Sequence, residues 1–101
     1  MSSPLIEVRV FTHPTCTTCP NAIRMVQRLV EQDPQVRMEL VSLATAKGRE
    51  TAKALNVLSV PTIFVNGTRF VGVPAWNELF AAVNREKAAL SSEHPSLASN
   101  R

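Results

Sequence analysis

The chain has 101 residues, enough for one compact domain and too few for two. Its hydrophobic share of 45% suits an ordinary globular protein, and no apolar run approaches the roughly 20 residues that cross a bilayer. The net charge of +3 is carried by scattered basic residues with no tyrosine among them, so neither nucleic-acid binding nor a membrane role is expected.

The first element is residues 5–11. Leu5, Ile6, Val8, Val10 and Phe11 surround Glu7 and Arg9, which predicts a strand with its last residues buried. Thr12-His13-Pro14-Thr15 reads as a loop broken by Pro14. Over residues 17–32, Ala22, Ile23, Val26, Leu29 and Val30 recur at helical spacing. Asp33-Pro34 stops that helix, because the residue before a proline avoids the helical region. Residues 36–43 alternate as Val36, Met38 and Leu40, a second strand. Residues 45–55 predict a softer helix with Ala44, Gly48, Ala52 and Leu55 on its buried side, ending at Asn56.

Val57-Leu58-Ser59-Val60-Pro61 then leads into a short buried strand, Thr62-Ile63-Phe64-Val65. Asn66-Gly67 is the favoured pair for a two-residue hairpin in which both positions take positive φ. Residues 68–73 form the partner strand. Pro74 opens the last helix, where its missing N–H costs nothing, and Trp76, Leu79, Phe80, Val83 and Leu90 form its apolar stripe. The order β-α-β-α-β-β-α predicts an α/β domain of three layers, α/β/α, around a mixed four-stranded sheet. Its first two strands are parallel through a right-handed crossover, and its last two are antiparallel. The domain is expected over residues 1–90, followed by a polar tail at 91–101.

Cys16 and Cys19 are the two cysteines of the chain. A disulfide between them closes a very small loop and constrains the unfolded chain little, so stapling is a poor reason for the pair. Redox exchange and metal binding are the uses that fit such spacing in a reducing compartment. Residues 1–4 show no basic region followed by an apolar stretch, so the cytoplasm is the expected location.

The pair falls where the first strand gives way to the first helix. A helix N-terminus offers unpaired N–H groups and a partial positive charge, and both stabilise a thiolate. Cys16, nearer the loop, is the expected nucleophile. Cys19, more buried, is expected to attack the mixed disulfide and release reduced substrate. Thr17 and Thr18 between them are either ordinary helix-starting residues or groups that solvate the thiolate.

His13 with Cys16 and Cys19 makes three ligands of a metal site, but structural zinc takes four and the remaining histidine is His94 in the tail. Neither a metal nor a cofactor is therefore expected. His13 reads as a loop residue that raises the local positive potential when protonated. Trp76 either lines a substrate groove or packs in the core. Asn66-Gly67-Thr68 matches a glycosylation sequon that the hairpin turn explains by itself.

Phe11-Thr12-His13-Pro14-Thr15-Cys16-Thr17-Thr18-Cys19-Pro20, followed downstream by Val60-Pro61-Thr62 and by Gly72 before the last helix, resembles the thioredoxin superfamily. Within it, the likeness is to small glutaredoxin-like protein disulfide reductases, over residues 6–83. The resemblance implies that Pro61 is cis and lies beside the two sulfurs. It also implies that the backbone of Val60 pairs with a substrate chain like an added strand. Thr17 and Trp76 complete the expected substrate-binding set. The implied activity is dithiol exchange on disulfide-containing proteins by a monomer, recharged by a reductase or thiol donor that the sequence does not identify.

Two departures from the family pattern bear on chemistry. Thioredoxins usually carry a tryptophan before the first cysteine and a buried acid on the preceding strand, where this chain has Thr15 and Val10. Glutaredoxins that bind glutathione usually show two glycines and an aspartate after the fourth strand, and often a tyrosine between the cysteines. Here Gly72-Val73-Pro74-Ala75-Trp76-Asn77 and Thr18 stand in those places, which favours protein disulfides over glutathione. The alternative is a metal- or partner-binding module of the same fold without turnover. A dithiol form that exchanges with no thiol buffer and holds stoichiometric metal would mark it.

Overall fold

Ile6, Val8 and Val10 point to one side of the first strand and Phe11 to the other, and all four are fully buried. That pattern requires cover on both faces of the sheet. The computed structural model, which describes residues 5–92, supplies it. The elements are β1 (Ile6–Thr12), α1 (Cys19–Gln32), β2 (Val36–Ser42), α2 (Ala46–Ala54), β3 (Thr62–Val65), β4 (Thr68–Val71) and α3 (Trp76–Ser92). The sheet runs β2-β1-β3-β4, with β1 parallel to β2 and antiparallel to β3, and β3 antiparallel to β4. This is the expected three-layer α/β domain with a mixed sheet.

α1 and α3 cover one face, where Ile6, Val8 and Val10 meet Ala22, Val26, Leu29, Leu79 and Val83. α2 covers the other, where Phe11, Val41 and Phe64 pack on Ala52 and Val57. The Phe11 and Phe64 rings meet edge to face at 5.7 Å. β3 lies between both layers, and all four of its residues are buried.

Several boundaries differ from expectation, each for a local reason. α1 starts at Cys19 with Thr18 as N-cap, two residues later than the periodicity suggests. Pro20 belongs in a first turn, where no N–H is required, and so fixes the start just before itself. β4 stops at Val71 because Gly72, at φ 86°, turns the chain and donates its N–H to the Pro61 carbonyl at 2.8 Å. α3 begins at Trp76, not Pro74, and Glu78 reaches back to accept the Ala75 N–H at 3.2 Å, half of a capping box.

In the hairpin only Asn66, at φ 52°, has positive φ, so the turn follows the type II′ pattern of φ signs and not type I′. Asn66 is held there by its own side chain, which accepts from the Glu7 N–H at 3.1 Å and donates to Glu86 at 3.2 Å. Phe80 leaves the predicted stripe. It is 44% exposed and stacks on Trp76, while Leu79, Ala82 and Val83 face the core. Ala44 is also exposed. The expected tail at 91–101 lies outside the described residues except at its start, where α3 continues to Ser92.

α2 ends as its last residues dictate. Asn56 adopts φ 60°, its N–H bonds Lys53 O at 3.1 Å, and the Val57 N–H bonds Ala52 O at 2.8 Å. This is a Schellman close with asparagine in the usual glycine position. At the other end, Thr45 caps the Gly48 N–H at 2.9 Å and donates to Ser42 O at 3.0 Å, fastening α2 to the end of β2.

Candidate active site

The parallel register pairs Thr12 with Ser42, and the antiparallel register pairs Phe11 with Thr62. The loop that leaves β1 and the segment that enters β3 therefore meet at one end of the sheet. Cys16 lies in that loop, in a turn closed by its N–H on the His13 carbonyl at 3.0 Å. Cys19 is the first residue of α1. The two are joined as a disulfide.

Their environments differ. Cys19 is 2% exposed, whereas Cys16 is half-buried. The Cys19 N–H, one of the orphan donors of the helix start, points at Cys16 Sγ at 3.1 Å. The Thr18 hydroxyl stands 3.9 Å from the same sulfur and makes no side-chain cap bond of its own. A negative charge forming on Cys16 Sγ would meet both groups and the positive end of α1. Of the two readings for Thr18, the arrangement favours the one that touches sulfur. Thr17 is exposed.

A hollow of about 260 Å³ opens beside the sulfurs, lined by Thr12, His13, Pro14, Cys16, Cys19, Pro20, Ile23 and Ser42. A larger one of about 350 Å³ runs along β2 and the start of α2 and includes neither sulfur, so it is not part of this chemistry. His13 Nδ1 accepts from the Thr15 N–H at 3.2 Å and lies 2.9 Å from the Thr15 hydroxyl. The proton of the neutral ring is therefore on Nε2. Among the described residues, no group of three His, Cys, Asp or Glu side chains is gathered to hold a metal ion. Val10 is fully buried where the resemblance would place an acid, and the buried polar residue among the described ones is Thr62, whose hydroxyl donates to Ser59 O at 2.8 Å.

The Val60–Pro61 bond is cis, Pro61 is buried and Val60 is half-buried. Among the described residues the backbone of Val60 makes no hydrogen bond, and Leu58 beside it is 88% exposed. Trp76 is not in the hollow at the sulfurs. It lines a separate one with Asn21, Arg24, Met25 and Arg28, and its ring carries the Arg28 guanidinium at 4.5 Å.

Residues that the sequence pattern did not single out also shape the site. Ser42 and Thr12 enter through strand register, which no periodicity reveals. Ile23 stands one helical turn after Cys19 and could have been read from that spacing. Arg69, from β4, donates to the carbonyls of Leu55 at 2.6 Å and Asn56 at 2.9 Å and so holds the start of the segment that carries Val60 and Pro61.

Comparison with known proteins agrees with this geometry. The family described as thioredoxin domain matches residues 6–84. A probable thioredoxin of Methanothermobacter thermautotrophicus is 37% identical over 84 residues, covering 81% of this chain and 96% of that protein. The thioredoxin of Methanocaldococcus jannaschii is 28% identical, covering 79% and 94%. Among solved structures, thioredoxin 1 of Thermosipho africanus superposes with a TM-score of 0.70 at 14% identity, covering 84% of this chain and 98% of that one. This last likeness concerns the fold.

Proposed function

Because the chain belongs to the thioredoxin-domain family and is a thiol–disulfide oxidoreductase, we propose that Cys16 attacks and Cys19 resolves as it reduces disulfides in other proteins. One observation carries this assignment: the N–H of Cys19 is aimed at Cys16 Sγ at 3.1 Å, so the more accessible sulfur is also the one whose anion is stabilised.

In the reduced protein, the Cys16 thiolate attacks one sulfur of a substrate disulfide. A Cys16–substrate bond forms, the substrate S–S bond breaks, and the departing thiolate takes a proton from solvent. Cys19 then loses its proton and attacks Cys16 Sγ. The Cys16–Cys19 bond forms, the mixed disulfide breaks, and the second substrate thiol leaves. Two electrons and two protons pass to the substrate, and a two-electron reductase or thiol donor restores the dithiol. With Val10 in place of an acid, the proton of Cys19 leaves through the hollow lined by Thr12, His13 and Ser42, which has room for several waters.

The unpaired backbone of Val60, the buried Pro61 next to it and the exposed Thr17 offer an extended substrate chain a place to lie across Cys16. Trp76 contributes from the flank of α1. A cytoplasmic setting suits a dithiol that closes so short a loop.

Insulin-disulfide reduction tests the reading. Cys16→Ser is expected to abolish it, and Cys19→Ser to accumulate a mixed disulfide on Cys16 visible by mass. Trapping on Cys19 in Cys16→Ser, with none on Cys16 in Cys19→Ser, would reverse the assignment.

A further inference from the structure

We propose that the hollow between α1 and α3 docks an acidic segment of the disulfide-bearing partner protein, with carboxylates held by Arg24 and Arg28 and an apolar neighbour resting against Trp76. The proposal rests on the reading of Cys16 and Cys19 given above and adds the chemistry of the partner. The hollow measures about 240 Å³ and is walled by Asn21, Arg24, Met25, Arg28 and Trp76. α1 begins at Cys19, so Asn21 lies in the first turn after the sulfurs, and Arg24 and Arg28 follow along the same exposed strip at helical spacing. A protein engaged at Cys16 is within reach of this strip.

The two arginines are held in place yet unneutralised. The Arg24 guanidinium donates to the Asn21 side chain, and that of Arg28 lies on the Trp76 ring. Neither has an ion-pair partner among the described residues, where the salt bridges are Arg9–Glu39 and Lys87–Asp33. Each guanidinium has five N–H donors, so most remain available to a carboxylate, and a side chain already fixed loses less freedom on binding. Nearby acids do not fill the role: Glu78 is turned back to the Ala75 N–H, and Glu31 lies beyond Arg28 toward the far end of α1. Phe80, stacked on Trp76 at 5.9 Å and 44% exposed, extends the apolar surface beside the cations. Fixed arginines next to a half-buried tryptophan and the exposed phenylalanine stacked on it match an acidic peptide carrying an apolar side chain.

Trp76 is the single tryptophan of the chain, so its fluorescence reports on this hollow. A cysteine-free peptide rich in glutamate is expected to change that emission in the oxidised protein at low salt, and its lysine counterpart to leave it unchanged. In turnover, cystine peptides flanked by glutamate should show kcat/KM about five- to ten-fold above lysine-flanked ones at low salt, the advantage shrinking as salt rises. Arg24→Gln/Arg28→Gln is expected to bring that ratio to within about two-fold, since rim ion pairs are individually weak. Lys47→Gln/Lys53→Gln removes the same charge from exposed positions of α2 and should keep the wild-type ratio.

A ratio unmoved by the arginine pair, or lowered equally by both double variants, overturns the proposal, because only the overall charge would then matter. Failure of the underlying redox reading looks different. It appears as an inability of the wild-type dithiol to reduce bis(2-hydroxyethyl) disulfide, which has no charge to recognise.

Discussion

Arg69 Nη2 donates to the Leu55 carbonyl at 2.6 Å, so β4 holds the C-terminus of α2 at the point where the chain turns toward Val60 and Pro61. The Schellman close of α2 uses the carbonyls of Ala52 and Lys53, and Arg69 takes those of Leu55 and Asn56 while lying over the Phe64 ring at 4.9 Å. Arg69→Met keeps apolar contact with Phe64 and loses both hydrogen bonds. It is expected to lower stability by about 1–3 kcal/mol in denaturant unfolding. It should also raise KM for a protein disulfide several-fold with kcat nearly kept, because the segment proposed to receive substrate loosens while the sulfurs do not. Arg69→Lys should recover part of the stability, having charge but no fork. Equal losses in kcat and kcat/KM would contradict this account.

A thiolate at Cys16, as proposed, would have two donors at hand, the Cys19 N–H and the Thr18 hydroxyl. Thr18→Val removes the second without altering the helix start, since Thr18 makes no side-chain cap bond. Alkylation of Cys16 in the reduced protein below neutral pH is expected to slow about two- to five-fold, the worth of one weak hydrogen bond to charge. Thr18→Ser should restore it.

Gly48 shows how a helix propensity argument changes sign in context. On an exposed helix, glycine to alanine stabilises by about 1 kcal/mol. Here a Cβ at residue 48 would overlap the Ser42 carbonyl, a backbone atom that cannot move aside. Gly48→Ala should therefore destabilise by about 1–3 kcal/mol in thermal or denaturant unfolding. It should also slow the redox reaction, because Ser42 lines the hollow at the sulfurs.

Asp33 closes α1 and pairs with Lys87 of α3 at 2.7 Å. The Lys87 hydrogen bond, and behind it the Gln35 N–H, hold the carboxyl below its ordinary range, with burial opposing them. A carboxylate with a depressed folded pKa contributes stability above its unfolded pKa of ~3.9 and loses it as pH falls through the folded value. Wild type is thus expected to lose stability on acidification in that range faster than Asp33→Asn. At neutral pH the variant should be less stable by about 0.5–1 kcal/mol. Parallel pH profiles for the two proteins would remove Asp33 from the account.

Much of this was legible from residues alone. Cys16 and Cys19 at a strand-to-helix junction, Val60-Pro61 ahead of a buried strand and Asn66-Gly67 between two strands announce the architecture by local chemistry. What stayed hidden depends on contacts between distant segments. The insertion of β3 beside β1 puts Thr62 next to Phe11 and closes the site, yet nothing in either strand specifies the partner. Ser42 reaches the sulfurs only through register with Thr12. Phe80 fits a helical stripe by spacing, but Leu79, Ala82 and Val83 take the core-facing positions and its ring falls on Trp76. Arg69 looks like any exposed cation on a strand until the carbonyls of Leu55 and Asn56 stand opposite it.

The sheet has open margins at β2 and β4 among the described residues, and the two invite neighbours unequally. β4 offers only four residues before Gly72 bends the backbone away. β2 offers seven, with Leu40 half exposed near its end. An incoming strand at β2 would run alongside Arg37 and Glu39, and Glu39 is already drawn toward Arg9 at 4.0 Å. Charged side chains in the middle of a margin make extension of the sheet into fibres unfavourable. The longer margin is thus guarded against such extension by two ordinary surface charges, Arg37 and Glu39.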